Sequence, residues 1–146
     1  MAEELKARVL LVDDEEDFLT TLAERLETRG LTVSTVTKGE DAVKKVDEQN
    51  FDLIILDLAM PGIDGLETLK RIKAKQPDAE VIILSGQGSI KTSIEAMKLG
   101  AEDFLQKPVN ISDLMDKISD AKDKRLLVMQ KKSVKEIEKI LHTKGW

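Results

Sequence analysis

Asp13, Asp14, Asp57, Ser85 and Lys107 lie far apart in the chain, yet each sits at the same kind of place. Asp13 and Asp14 close the apolar run Val9, Leu10, Leu11, Val12. Asp57 closes Leu53, Ile54, Ile55, Leu56, and Ser85 closes Val81, Ile82, Ile83, Leu84. Lys107, followed by Pro108, comes directly after the stretch containing Phe104 and Leu105. If these runs are neighbouring parallel strands, three carboxylates, a hydroxyl and an ammonium converge in one crevice. Hard carboxylate oxygens suit a divalent cation. A carboxylate can also attack a phosphoryl group and form an acyl phosphate. Taken singly, each residue has a plainer reading. Asp57 could be a loop acid, Ser85 a loop hydroxyl and Lys107 a surface lysine. Asp13 and Asp14, with Glu15, Glu16 and Asp17, would favour a helix N-terminus by charge alone. Their common placement is what turns the set into chemistry.

The elements that must position them alternate between short β-branched runs and amphipathic stretches. Strands are expected at 8–13, 31–36, 51–57, 80–85 and 102–106. Helices are expected at about 15–29, 38–49, 64–75 and 88–99, with a fifth from about 111. Phe18, Leu22 and Leu26 recur every four residues, and Gly30 ends that pattern. Leu66, Leu69 and Ile72 form a second apolar stripe, and Ile90, Ile94 and Met97 a third, stopped by Gly100. Five βα units in succession imply a parallel sheet with helices on both faces. The continuous apolar runs suit central strands buried on both sides. The alternating run from Leu31 to Val36 suits an edge. The expected fold is therefore α/β, a doubly wound five-stranded parallel sheet of order 2-1-3-4-5. Asp13, Asp14 and Asp57 would lie at its β1/β3 switch point, where such sheets bind ligands.

The chain has 146 residues, 41% hydrophobic and 35% charged, as expected of one globular domain. It has no cysteine, which excludes disulfides and thiolate metal sites. The acidic N-terminus lacks a signal-peptide pattern and no run is long enough to span a bilayer, so a cytoplasmic location is expected and no membrane partner. The net charge of −5 divides unevenly: residues 121–146 carry +5 and the remainder −10. A body this acidic is not expected to bind nucleic acid directly.

Four segments, in order, carry a resemblance. They are Leu11-Val12-Asp13-Asp14-Glu15, the stretch from Leu56-Asp57 through Pro61-Gly62 to Gly65, Leu84-Ser85-Gly86, and Asp103-Phe104-Leu105-Gln106-Lys107-Pro108. Together they resemble the receiver domain of bacterial two-component response regulators over about residues 7–121. Residues 88–101 further resemble the nitrogen-regulator subtype. The resemblance implies a receiver-like, flavodoxin-like fold, with a receiver domain at 1–121 and a C-terminal helical extension at 122–146. It implies Asp57 as the phosphoryl acceptor. Mg2+ would be held by Asp13 and Asp14, Asp14 directly, with Asp57 and the Ala59 carbonyl. Ser85 and Lys107 would meet phosphoryl oxygens, Lys107 pairing with Asp57 at rest, and Lys107–Pro108 would be cis. Phe104 would be a switch aromatic, turning into space that Ser85 vacates. The donor would be a sensor histidine kinase or a phosphotransfer protein. His142, the one histidine, is given no role.

Three other readings compete. An aspartate-dependent phosphatase would want a second acid two residues after its nucleophile, where Ala59 stands. A flavodoxin-like nucleotide binder would want a glycine- and hydroxyl-rich first loop, where this chain has acids. An unphosphorylated scaffold receiver would not require the acid set. Beyond Ala121, apolar residues continue through Leu126, Leu127, Met129, Val134, Ile137, Ile140 and Leu141. Leu127, Val134 and Leu141 recur at seven-residue steps, but Lys131, Glu138 and Lys144 interrupt the seam. Helix is expected there, either for dimerisation, for partner docking or as a linker to further chain. Homodimer contact is assigned to this helix or to the face formed by residues 88–106.

Overall fold

The computed structural model describes residues 6–58, 65–86 and 90–143. Five strands alternate with five helices among these residues: β1 (Arg8–Val12), α1 (Glu16–Glu27), β2 (Thr32–Val36), α2 (Gly39–Glu48), β3 (Leu53–Asp57), α3 (Gly65–Lys75), β4 (Val81–Ser85), α4 (Ile90–Lys98), β5 (Asp103–Gln106) and α5 (Ile111–Thr143). All pairings are parallel, in the order β2-β1-β3-β4-β5. This is the expected topology. The starts expected at residues 64 and 88 lie outside the described residues.

Because side chains alternate across a strand, each continuous apolar run feeds two cores. Leu10, Val12, Ile54, Leu56, Val81 and Ile83 face one way and meet α2, α3 and α4 through Ala42, Val46, Leu69, Ile72 and Ala96. Val9, Leu11, Leu53, Ile55, Ile82 and Leu84 face the other way and meet α1 and α5 through Leu19, Leu22, Leu26, Leu114 and Ile118. β2, with no fully buried residue, lies at the sheet edge.

Two local features fix how strands hand over to helices. Gly65 opens α3, and its N–H donates to the Leu58 carbonyl at 3.1 Å. A Cβ there would sit 2.3 Å from the Leu58 Cα, so only glycine fits. At the start of α5, Asn110 Oδ1 accepts the N–H groups of Ser112 and Asp113, at 2.9 and 3.2 Å, and caps the helix.

α4 departs from the apolar-stripe reading. Among its residues whose burial is described, Ser93 and Ala96 are buried, whereas Ile94 and Met97 are exposed. The small side chains let α4 lie against the sheet, which turns the larger ones outward. α5 is one unbroken helix that outruns the sheet. Leu114, Ile118 and Ala121 are buried, and Leu126, Leu127, Val134, Ile137 and Ile140 are exposed. Ion pairs tie it to the amino-terminal end of the sheet. Lys117 pairs with Asp103, Lys124 donates to Glu102 at 2.5 Å, and Lys132 pairs with Asp78. Burial raises the pKa of Glu80 beside this cluster. The nearby charge of Glu102 and their shared hydrogen bond raise it further, against the pull of Lys73 and Lys124. Burial in turn lowers the pKa of Lys73.

Candidate functional site

The carboxyl ends of β1, β3 and β5 deliver the site. Asp13 follows β1 directly, Asp57 is the last residue of β3 and Lys107 follows β5 directly. The register sets Val12 beside Leu56 and Asp57 beside Leu84, so strands of equal length end on one line. Strand pairing thus brings together residues that are remote in sequence. Asp13 and Asp57 are buried and Asp14 is exposed. One carboxylate oxygen from each of the three lies within 4.8 Å of the others.

These donors fit Mg2+ by chemistry. They are hard oxygens, the ligands that Mg2+ prefers. The exposed side at Asp14 leaves room for the waters this ion retains. The Ala59 carbonyl, expected as a further ligand, lies outside the described residues. Ser85 ends β4 beside Gln106, at the same sheet edge. Its side chain, and so the expected hydroxyl contact, falls outside the description.

Lys107 meets its expected partner and two more. Its Nζ donates to Asp13 Oδ2 at 2.7 Å and to Glu15 Oε1 at 3.2 Å, while Asp57 Oδ2 stands at 3.8 Å. At rest it therefore forms the expected ion pair with Asp57, while its hydrogen bonds go to Asp13 and Glu15. Burial alone would lower the Lys107 pKa. The hydrogen bond to Asp13 and the charges of Asp57 and Asp13 outweigh that, and it stands raised. The ammonium is accordingly fixed in its charged form. Asp13 is engaged on both oxygens, because Oδ1 accepts the Glu15 N–H at 2.9 Å. Glu15, read in sequence only as a helix-terminus acid, is part of the Lys107 environment.

Phe18 also belongs here, although its four-residue spacing reads as core. Its ring centroid is 4.4 Å from Lys107 Nζ, a cation–π distance. A signal was available: an aromatic in the first turn of the helix that leaves the acidic strand end. The Lys107–Pro108 bond is cis, as the resemblance implies. Phe104 is 45% exposed, so it is not a static core residue. With Ile94 and Met97 it is one of the large exposed apolar residues contributed by α4 and β5.

Comparison with known proteins shows the family. The family model of the response regulator receiver domain matches residues 9–119. The chain is 40% identical over 106 residues to the transcriptional regulatory protein ZraR of Escherichia coli (strain K12), which covers 73% of this chain and 24% of ZraR. It is 34% identical over 127 residues to the C4-dicarboxylate transport transcriptional regulatory protein DctD of Rhizobium meliloti (strain 1021), covering 87% of this chain and 28% of DctD. The chain thus spans about a quarter of the length of these relatives. A response regulator receiver domain protein from Clostridium thermocellum superposes with a TM-score of 0.81 at 35% identity, covering 84% of this chain and 98% of that one.

Proposed function

We propose a phosphoacceptor switch, starting from the fact that the chain belongs to the response regulator receiver domain family. The observation that carries the proposal is the convergence of Asp13, Asp14 and Asp57 with the Lys107 ammonium at one end of the sheet. In this reading Asp57 attacks phosphorus. A new bond forms between its carboxylate oxygen and phosphorus as the donor's bond to phosphorus breaks. With a phosphohistidine donor, the electron pair of that bond stays on the imidazole nitrogen, which then takes up a proton. Lys107 moves from Asp13 toward the phosphoryl group, and the Ser85 hydroxyl donates to another phosphoryl oxygen. Catalysis here consists of positioning and electrostatic stabilisation. Asp13, Asp14, Asp57 and the Ala59 carbonyl would hold Mg2+, which would supply positive charge to offset the negative charge developing during transfer.

The donor is a sensor histidine kinase or a phosphotransfer protein, and the chain acts as a switch rather than as a metabolic enzyme. The output is read on the α4–β5 face, where Phe104 responds to Ser85, and through the extension at 122–146. Homodimer contact falls on that face or on the exposed stripe of α5.

The test is intact-mass measurement after incubation with acetyl phosphate and Mg2+, beside Asp57→Asn and with EDTA. One phosphoryl adduct that requires both Asp57 and Mg2+ is expected. An unmodified wild type, or an adduct that persists in Asp57→Asn, would overturn the assignment.

A further inference from the structure

Lys107 has three N–H donors and more partners than the transfer step requires. Two of its neighbours come from the start of α1. Glu15 is the N-cap and Phe18 lies three residues on, a spacing that puts both on one face of the helix. Glu15 approaches the ammonium with a carboxylate at 3.2 Å, and Phe18 with its ring at 4.4 Å. The ring is itself held, since Phe18 packs on the α1–α5 core and borders a cavity of about 70 Å3 with Val109 and Ile111. The loop that carries Lys107 and the helix that faces it therefore share this aromatic.

The two neighbours act differently on a mobile cation. A carboxylate attracts the ammonium strongly at short range and competes with any other anion for it. An aromatic face attracts it weakly and over a broad surface. From its resting place, 3.8 Å from Asp57 Oδ2, Lys107 must close by about 1 Å to hydrogen-bond an oxygen at that position.

We propose that the first turn of α1 positions Lys107, with the Phe18 ring holding the ammonium over the crevice while leaving it free to advance, and Glu15 drawing it back. The proposal rests on the phosphoacceptor reading, in which Lys107 meets the phosphoryl group. Phe18 and Glu15 are positioning residues, because they act through Lys107. The Glu15 carboxylate is 64% exposed, so solvent weakens its hold and its effect is the smaller of the two.

The test measures phosphorylation by acetyl phosphate at saturating Mg2+ for the whole chain, as Phe18→Leu, Phe18→Tyr and Glu15→Gln. Phe18→Leu keeps apolar bulk but removes the ring face, and a loss of about two- to tenfold in rate is expected. Half-saturation by Mg2+ should not move. Phe18→Tyr should restore the rate. Glu15→Gln should react faster than wild type. A spectroscopic signature separates positioning from general support: the Lys107 Hε resonances should be displaced by the ring current in wild type and Phe18→Tyr, and not in Phe18→Leu. A Phe18→Leu protein that reacts at the wild-type rate, or that keeps the displaced resonances, would overturn the Phe18 role. Glu15→Gln, a surface change independent of core packing, overturns the Glu15 role if its rate is unchanged or lower. A wild type without an adduct would sink the phosphoacceptor reading and this role together. A normal adduct with insensitive variants would sink this role alone.

Discussion

Asp13 cannot serve Lys107 and a cation equally well, and Lys107→Gln tests that competition. In the resting site Asp13 Oδ2 accepts Lys107 at 2.7 Å, and Oδ1 accepts the Glu15 N–H. Binding Mg2+ through Asp13 weakens or displaces the lysine bond. A hydrogen bond to a charged group contributes about 1.5–3 kcal/mol, and about 1.4 kcal/mol is a factor of ten in affinity. Removing the ammonium should therefore tighten Mg2+ binding by about tenfold or more. The same substitution leaves Asp13, 1% exposed, facing Asp57 without its cation. Breaking a buried pair costs about 3–5 kcal/mol, and the partial exposure of Lys107 reduces that to about 2 kcal/mol. The metal-free variant should thus melt earlier than wild type and regain more on adding Mg2+, as mass action requires. Calorimetric titration with Mg2+ at constant ionic strength gives the affinity, and thermal melts with and without Mg2+ give the coupling. A variant that binds Mg2+ no more tightly than wild type would refute the reasoning. The ion would then rest on Asp14 and Asp57 without drawing on Asp13.

Three further outcomes are expected. Gly65→Ala forces a Cβ onto the Leu58 backbone and should destabilise the chain by about 1–3 kcal/mol or more, read as a lower urea midpoint; an unchanged midpoint would contradict the close approach. Burial, then Glu102, raises the Glu80 pKa, so the folded chain holds a proton that the unfolded chain releases. That contribution is complete below the ordinary carboxylate range and is lost as pH rises through the raised value. Glu80→Gln should accordingly be more stable than wild type at pH 7, with the difference shrinking toward pH 4; a difference independent of pH in urea titrations would count against it. Phe104→Ala, at an exposed position, should change stability by less than about 1 kcal/mol while abolishing phosphorylation-dependent partner binding, and intact binding would remove Phe104 from the switch.

Much of the fold was legible because each central apolar run ends in a polar residue, and because β2 alternates where the others do not. Those two facts, with the doubly wound arrangement that five βα units imply, give strand order, and strand order brings Asp13, Asp14 and Asp57 together. What the sequence left unsaid shares a physical origin. The Ile90, Ile94, Met97 periodicity reports which residues share a helix side, not whether that side faces the sheet. In α4 the small residues Ser93 and Ala96 allow closer packing and take the inner side. Phe18 has the spacing of a core residue, and only the arrival of Lys107 from another strand gives its ring a second role. The partner of Lys107 depends on differences of about an ångström among three carboxylates, which no spacing encodes. Glu80 and Glu102 are brought together by β5 entering beside β4, where the Glu102 N–H donates to Val81. The residues between them in sequence give no hint of it.

The ion pairs that root α5 have a mechanical consequence. A helix rises about 1.5 Å per residue, so the part of α5 beyond its last attachment, at Lys132, projects on the order of 16 Å. Its attachment points, Asp103 and Glu102 at the start of β5 and Asp78 just before β4, belong to the two strands that end at Ser85 and just before Lys107. The arrangement is a pointer pivoted on those strands. A tilt of about 10° at the pivot would sweep the far tip through about 3 Å on that rise, the length of a hydrogen bond. A displacement too small to disturb the sheet is enough to make or break contacts at the tip, and the length of the helix supplies the gain.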